Sequence, residues 1–212
     1  MGRDLKALLI NNCCVTLRVE EYMSWIPEFE IGLWNAWIFM IWQIVIPVLL
    51  IFIVKEKTVL KKLSASVPMK FEKTSNTLSM ILLIAAFILS IFIPLQLNTS
   101  WFYIGLLIFL FGLIFDLMAL YTFRKAKPEG PFTIGPYRYS RHPVYFGFFL
   151  IYISISLMSL SRIFLVFTII FGIHFLIVAP AEERYCLQRY GEVYKEYLER
   201  APRYIGLSKL KK

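Results

Sequence analysis

Polar chemistry in this 212-residue chain gathers in two places, residues 135–147 and the pair Glu182-Glu183. The first reads Gly135-Pro136-Tyr137-Arg138-Tyr139-Ser140-Arg141-His142-Pro143-Val144-Tyr145-Phe146-Gly147 and holds one of only two His in the chain. A turn-rich, basic and aromatic cluster between long apolar runs suits binding of a charged ligand at the mouth of a membrane helix. It equally suits a basic loop that anchors a helix, because Tyr and Arg favour the interfacial depth. Pro143 fits the first turn of a helix, which makes His142 a natural cap. Glu182 and Glu183 read as the opening of a tail helix, where the dipole favours anions, so their role can be purely structural. Together the two segments offer cations and anions within one cleft.

Two further residues lie inside apolar runs. Asp116 is the one acid within a predicted span, and an intramembrane carboxylate is a functional candidate by default; pairing with a basic group at the same depth, or protonation, is the structural alternative. His174 sits two helical turns before Glu182 on nearly the same face, where it suits either the cleft or a hydrogen-bonded helix contact. Two His with no His-x-x-x-His spacing, and three Cys with no ligand spacing, predict no metal site. No Gly-x-Gly-x-x-Gly, P-loop or Ser-centred elbow is present, so any nucleotide cofactor needs a different kind of site.

The elements that must position these groups are membrane helices. Hydrophobic residues make up 58% of the chain and mean hydropathy is +0.65, which excludes an ordinary soluble domain. The predicted fold class is all-α: a multi-pass integral membrane bundle of about five transmembrane helices with a C-terminal cytosolic amphipathic helix. Residues 1–33 form an N-terminal interfacial segment, 34–123 a three-helix membrane region, and 124–212 a loop, helical hairpin and tail. Predicted spans are 34–54, 77–97, 101–123, 144–160 and 163–179. Pro47 should kink the first. Gly105 and Gly112, near one face of the third, invite close approach of another helix. Only Ser161-Arg162 joins the last two spans, which demands an antiparallel hairpin. The tail is predicted helical over about 181–198, with Leu187, Tyr190, Tyr194 and Tyr197 as an aromatic stripe and Gly191 as a possible break.

Charge sets the orientation. The net charge of +9 is partitioned by loop, with 19 of 23 basic residues in 55–76, 124–143 and the tail. That pattern indicates topology and an anionic leaflet, not nucleic acid. Five spans then place all three segments in the cytoplasm and the N-terminus outside, in the plasma membrane of a prokaryote or the endoplasmic reticulum of a eukaryote. The hairpin returns Glu182-Glu183 to the compartment of the 135–147 cluster, so the two meet.

The 135–147 segment resembles the Gly-x-Tyr-x-x-x-Arg-His-Pro-x-Tyr-x-Gly signature of the isoprenylcysteine carboxyl methyltransferase and phospholipid methyltransferase superfamily of integral membrane methyltransferases. A second block is similar too: Glu182-Glu183, then Gly191, Tyr194, Tyr197 and Pro202-Arg203-Tyr204-Ile205. The resemblance implies S-adenosyl-L-methionine as methyl donor, held by Tyr137, Arg141, His142, Pro143, Tyr145, Glu182 and Glu183, with Glu129, Gly130, Pro131 and Phe132 supplying mainly backbone contacts. Carboxylates suit its ammonium, Arg141 or a loop amide its carboxylate, and tyrosine faces its sulfonium and adenine. The implied acceptor is a lipophilic or small molecule: an isoprenylcysteine-like carboxylate, a phospholipid amine or a thiol. An ammonium acceptor needs a base, for which His142, Glu183 and Asp116 are the catalytic candidates. One departure concerns the acceptor: the isoprenylcysteine enzymes carry an Arg one turn before the cofactor-binding Glu, and here Val178 and Ala179 occupy that turn. NADPH-dependent membrane sterol reductases share Arg-His-Pro-x-Tyr, but they favour Asn where Val144 stands. An inactive scaffold or lipid-binding relative is the non-enzymatic alternative.

Overall fold

The computed structural model describes residues 31–53, 69–125 and 130–206. The predicted interfacial segment 1–33 falls almost wholly outside them, as do most of the basic 55–76 loop and Glu129. Helices run over Trp37–Met40 (α1), Trp42–Ile53 (α2), Met69–Ile91 (α3), Ser100–Lys125 (α4), Pro143–Ser159 (α5), Arg162–Tyr190 (α6) and Glu192–Arg200 (α7), with a short 3-10 turn at Gly135–Arg138. Ser100–Phe123 and Arg162–Tyr190 are long and apolar enough to cross a membrane, and Trp37–Ile46, Thr77–Ile91 and Pro143–Ser159 are shorter apolar helices. Leu107, Phe111 and Ile114 of α4 and Ile169, Ile173 and Ile177 of α6 turn outward and are exposed. Apolar surface on that scale suits lipid and not water. This is the architecture of a helical membrane protein.

Several boundaries differ from the sequence expectation for identifiable reasons. The first span divides at Ile41, ahead of Pro47, and α2 continues through that proline. The second span begins earlier, at Met69, and ends at Ile91 instead of Leu97. Pro94 disfavours helix in the residue before it, and the chain from Ile93 to Leu95 pairs instead with the segment leading into α1. Ala36 N donates to Ile93 O at 2.9 Å and Leu95 N to Trp34 O at 3.0 Å. Thr99 then caps α4, its hydroxyl accepting from Phe102 N at 3.1 Å.

The largest difference lies at the end of the predicted hairpin. The fifth span and the first half of the tail are one helix of 29 residues that runs through Pro180 and stops at Gly191, whose φ is +54°. A proline inside a helix removes one backbone hydrogen bond, and the helix survives where the surroundings hold it. Glu182 and Glu183 therefore sit in mid-helix and not at a helix start. The turn between α5 and α6 is as tight as predicted: Leu160 adopts a left-handed conformation and Ser161 caps α6 by accepting from Phe164 N.

The closest helix pairing is α4 against α5, built on glycine. An added Cβ at Gly105 would lie 2.8 Å from Ser154 O, and one at Gly112 would lie 3.0 Å from Gly147 O. Both glycines meet the backbone of α5, as their shared face predicted. Polar side chains then link neighbouring spans: Gln43 donates to the Tyr152 hydroxyl, and Ser156 pairs with Thr168 at 3.0 Å. Replacing Gly105 with Ala should destabilise the fold by about 1–3 kcal/mol, because a backbone oxygen must move to admit the methyl group. Thermal unfolding in detergent should show that loss, whereas Leu107→Ala, at a 68% exposed position, should leave the midpoint unchanged.

Candidate active site

The 135–147 segment is shaped by its turn residues. Gly135 has φ +62°, and an added Cβ would lie 2.5 Å from Thr122 Oγ1 of α4, so the backbone here can press onto that helix only without a side chain. Pro136 then starts the 3-10 turn, and Tyr139 N and Ser140 N both donate to Pro136 O, at 3.0 and 3.1 Å. Ser140 Oγ accepts from His142 N at 3.1 Å, and Pro143 occupies the first position of α5. His142 precedes the helix as expected, but its side chain makes no capping hydrogen bond; the imidazole points instead toward α6.

The C-terminal segment closes over this turn. Arg141 N donates to Pro202 O at 2.9 Å, and Gly206 N donates to Tyr139 O at 3.0 Å. The Tyr197 hydroxyl donates to Tyr137 O at 2.8 Å. Tyr194 and Tyr197 of the aromatic stripe are buried against Ala119, Leu120, Phe123 and Tyr137.

Glu182 and Glu183 are neighbours in sequence with different surroundings. Glu183 is buried and receives three cationic groups. Arg203 donates from Nε at 3.0 Å and from Nη2 at 2.8 Å, Arg141 Nη1 lies at 3.2 Å, and His142 Nε2 lies at 3.2 Å. Glu182 receives the Tyr145 hydroxyl and lies 3.5 Å from His142 Nδ1. The imidazole is thus held between two carboxylates, and only the imidazolium can donate from both nitrogens. Burial alone would lower the His142 pKa, but the hydrogen bonds and charges of Glu182 and Glu183 outweigh it and raise it above the ordinary value. The His142 ring stacks on Tyr145 at 5.4 Å, and Tyr145 stacks on Phe175 at 4.4 Å.

A cavity of about 410 Å³ opens beside this cluster, within the usual range for a small-molecule site. Tyr137, Arg141, His142, Tyr145 and Glu182 line it, together with Pro131, Phe132 and Asp116. Gly130, Pro143 and Glu183 do not line it, and His174 lies elsewhere, its Nε2 paired with Ser79 Oγ at 2.7 Å. Arg141 Nε is buried without a hydrogen-bond partner, an unused donor on a side chain that faces the cavity.

Sequence reasoning missed the wall that α6 provides. Glu182, Tyr185, Cys186, Arg189 and Tyr190 all line the cavity, and their spacing of three, four, seven and eight is one helical face. That stripe lies wholly within the predicted tail helix 181–198, but Tyr190 was grouped there with Leu187, Tyr194 and Tyr197, and Tyr185, Cys186 and Arg189 were not singled out. Arg203 as a partner of Glu183 was missed because no local pattern joins residues 20 apart across a turn.

Residues 78–193 match the family model of the phospholipid methyltransferases. A curated relative, methanethiol S-methyltransferase of Crocosphaera subtropica, is 30% identical over 95 residues, covering 43% of this chain and 36% of the relative. The matched part thus spans about a third of that relative's length.

The His142 environment sets a pH dependence whose sign follows from its raised pKa. The stabilisation is complete below the ordinary value of 6.5 and is lost as pH rises through the raised folded value. Wild type and His142→Gln, melted in one detergent from about pH 6 to 9, should differ most at the acid end, by roughly 2–4 °C for each kcal/mol lost. The gap should close toward alkaline pH.

Proposed function

We propose, from the premise that this chain belongs to the phospholipid methyltransferase family, that it is an S-adenosyl-L-methionine-dependent membrane methyltransferase acting on a lipophilic or small nucleophile. The observation that carries the reading is the single cavity walled by both the 135–147 turn and α6, with an anion, cations and aromatic faces on its lining. The residues fit the donor. Glu182 is a carboxylate for its ammonium, and the unused Nε of Arg141 is a donor for its carboxylate. Tyr137, Phe132 and Tyr145 offer π faces for a sulfonium and an adenine. Glu183 in this reading is a positioning residue: it neutralises Arg203 and orients Arg141 and His142 from outside the cavity. When bound, S-adenosyl-L-methionine supplies an electrophilic methyl group on sulfonium.

The protein's own contribution is alignment and exclusion of water. Alignment of two reactants can contribute as much as roughly 7–11 kcal/mol. The lining favours that role, because rings that pack on one another are held in place against the ligand: Phe132 and Tyr137 meet Phe123 in tilted contacts at 4.9 and 6.2 Å. Topology in this reading is five spans with the N-terminus outside, and the cavity opens at the cytoplasmic face. The basic loops and the apolar helices support that arrangement. The acceptor class overlaps with the thiol named for the curated relative, and a phospholipid amine is the other nucleophile suggested by the family.

Calorimetry with S-adenosylhomocysteine on the full chain in detergent tests the cofactor. Binding is expected, with NADPH giving no heat; Glu182→Gln should weaken it about tenfold, the loss of one charge-assisted hydrogen bond of about 1.5 kcal/mol. Lys195→Ala, at an exposed residue of α7 paired with Glu192, should bind as wild type does. NADPH binding without S-adenosylhomocysteine binding would overturn the reading in favour of a reductase.

A further inference from the structure

The cavity has a charged mouth and an apolar depth, and one ionisable group stands at the bottom. Asp116 lines the cavity from α4, with Leu120 and Phe123 on the same face one and two turns nearer the mouth. It is buried, at 4% exposure, and neither carboxyl oxygen has a hydrogen-bond partner. Trp42 of α2 offers its indole N–H as a donor toward it, but the contact falls short of hydrogen-bond geometry. Among the described residues no Lys, Arg or His forms an ion pair with Asp116. The opposing residue on α5 is Gly147, where an added Cβ would overlap Asp116 Oδ1. The last glycine of the 135–147 segment therefore clears the space this carboxyl occupies.

A buried carboxyl left without a partner costs stability unless something else satisfies it. The surroundings say what that is. Ile46, Val144 and Phe148 complete the apolar lining, so the missing partner is a donor carried in on an apolar body. We propose that Asp116 binds the methyl acceptor and takes its proton, and that the acceptor is therefore a nucleophile with a proton to lose, a thiol or an amine, and not a carboxylate. This rests on the methyltransferase reading above.

The step balances. A lone pair on the acceptor sulfur or nitrogen forms the bond to the methyl carbon, and the electron pair of the breaking carbon–sulfonium bond returns to the donor sulfur. The acceptor proton passes to Asp116 Oδ. One negative and one positive charge disappear together, which is favourable in a low-dielectric site. An acceptor carboxylate has no proton to give up, and it would set a second carboxyl group against Asp116, which no Lys, Arg or His pairs with among the described residues.

The test uses the full chain in detergent, labelled S-adenosyl-L-methionine, and three probes that share a hydrocarbon chain: dodecanethiol, dodecylamine and dodecanoate. Wild type should methylate the thiol or the amine, the two arms identifying which, and leave dodecanoate unlabelled. Asp116→Asn keeps the shape but cannot take the proton; it should lower kcat by about 10²–10⁴-fold while S-adenosylhomocysteine affinity stays within about twofold. Trp42→Phe, which removes the neighbouring indole N–H, should retain turnover; an equal loss there would mean that Asp116 serves Trp42 and not the acceptor. Undiminished turnover in Asp116→Asn, labelling of dodecanoate, or failure to label either thiol or amine by a wild type that binds S-adenosylhomocysteine would each overturn the proposal. Wild type that does not bind S-adenosylhomocysteine overturns the methyltransferase reading, and this assignment with it. If Asp116→Asn does not fold, the wild-type probe preference still decides between acceptor classes.

Discussion

One buried carboxylate holds three distant parts of the chain together. Glu183 comes from the second half of the long helix α6, Arg141 and His142 from the turn before α5, and Arg203 from the segment after α7. A carboxylate with 5% exposure is costly to desolvate, and the cost is offset only if its lone pairs are filled by well-placed cations. Here the Arg203 guanidinium approaches with both Nε and Nη2, while Arg141 and His142 take the remaining directions. Removing Glu183 would leave Arg141 and His142 facing each other with no anion between them, so the ion cluster is a condition for the turn to keep its shape. The cavity depends on it in turn, because Arg141 and His142 line the cavity and Glu183 binds both from outside it, while Glu182 meets His142 from within.

The division of labour between Glu182 and Glu183 is a matter of helical phase. Successive residues of a helix point about 100° apart, and here that phase turns Glu182 onto the cavity and Glu183 away from it. Glu182 belongs to the stripe that continues through Tyr185, Cys186, Arg189 and Tyr190; Glu183 faces the returning C-terminal segment. His142 reads both, with one ring nitrogen toward each carboxylate. A histidine held in this way is fixed in orientation before any ligand arrives, which is the preorganisation that an electrostatic site requires.

How much of this was legible in the sequence follows from the range of the forces involved. The 135–147 turn was readable because Gly135, Pro136 and Pro143 act on their own backbone, and local conformation needs no tertiary knowledge. The hairpin, too, was readable from Ser161-Arg162, since a connection that short allows one geometry. The glycine face of α4 was visible as spacing. What failed was local reasoning applied where a tertiary surrounding decides: Pro180 was read as a helix boundary, yet the helix packs along its length and carries the proline with it. The same error misplaced the glutamates at a helix start. Pro94 shows the opposite outcome, ending its helix early because the freed backbone found partners at Trp34 and Ala36. The two prolines differ in what surrounds them and not in their chemistry.

The pairing of small and charged residues across the α4–α5 contact explains why a helix of only 17 residues can carry the mouth of the site. Gly105, Gly112 and Gly147 bring the two helices close enough for backbone to touch backbone, and close packing stands in for the hydrophobic drive that lipid removes. The same closeness leaves no room for a side chain opposite Asp116, so the carboxyl is enclosed by the packing that stabilises the bundle. A polar group inside a membrane protein is tolerated where it is buried in protein and turned toward a cavity. Asp116 meets both conditions, and the glycine that admits it belongs to the segment that builds the charged mouth. Depth and mouth are therefore two ends of one helix contact: a change that loosens α4 from α5 reaches the carboxyl at the bottom and the imidazolium at the top together.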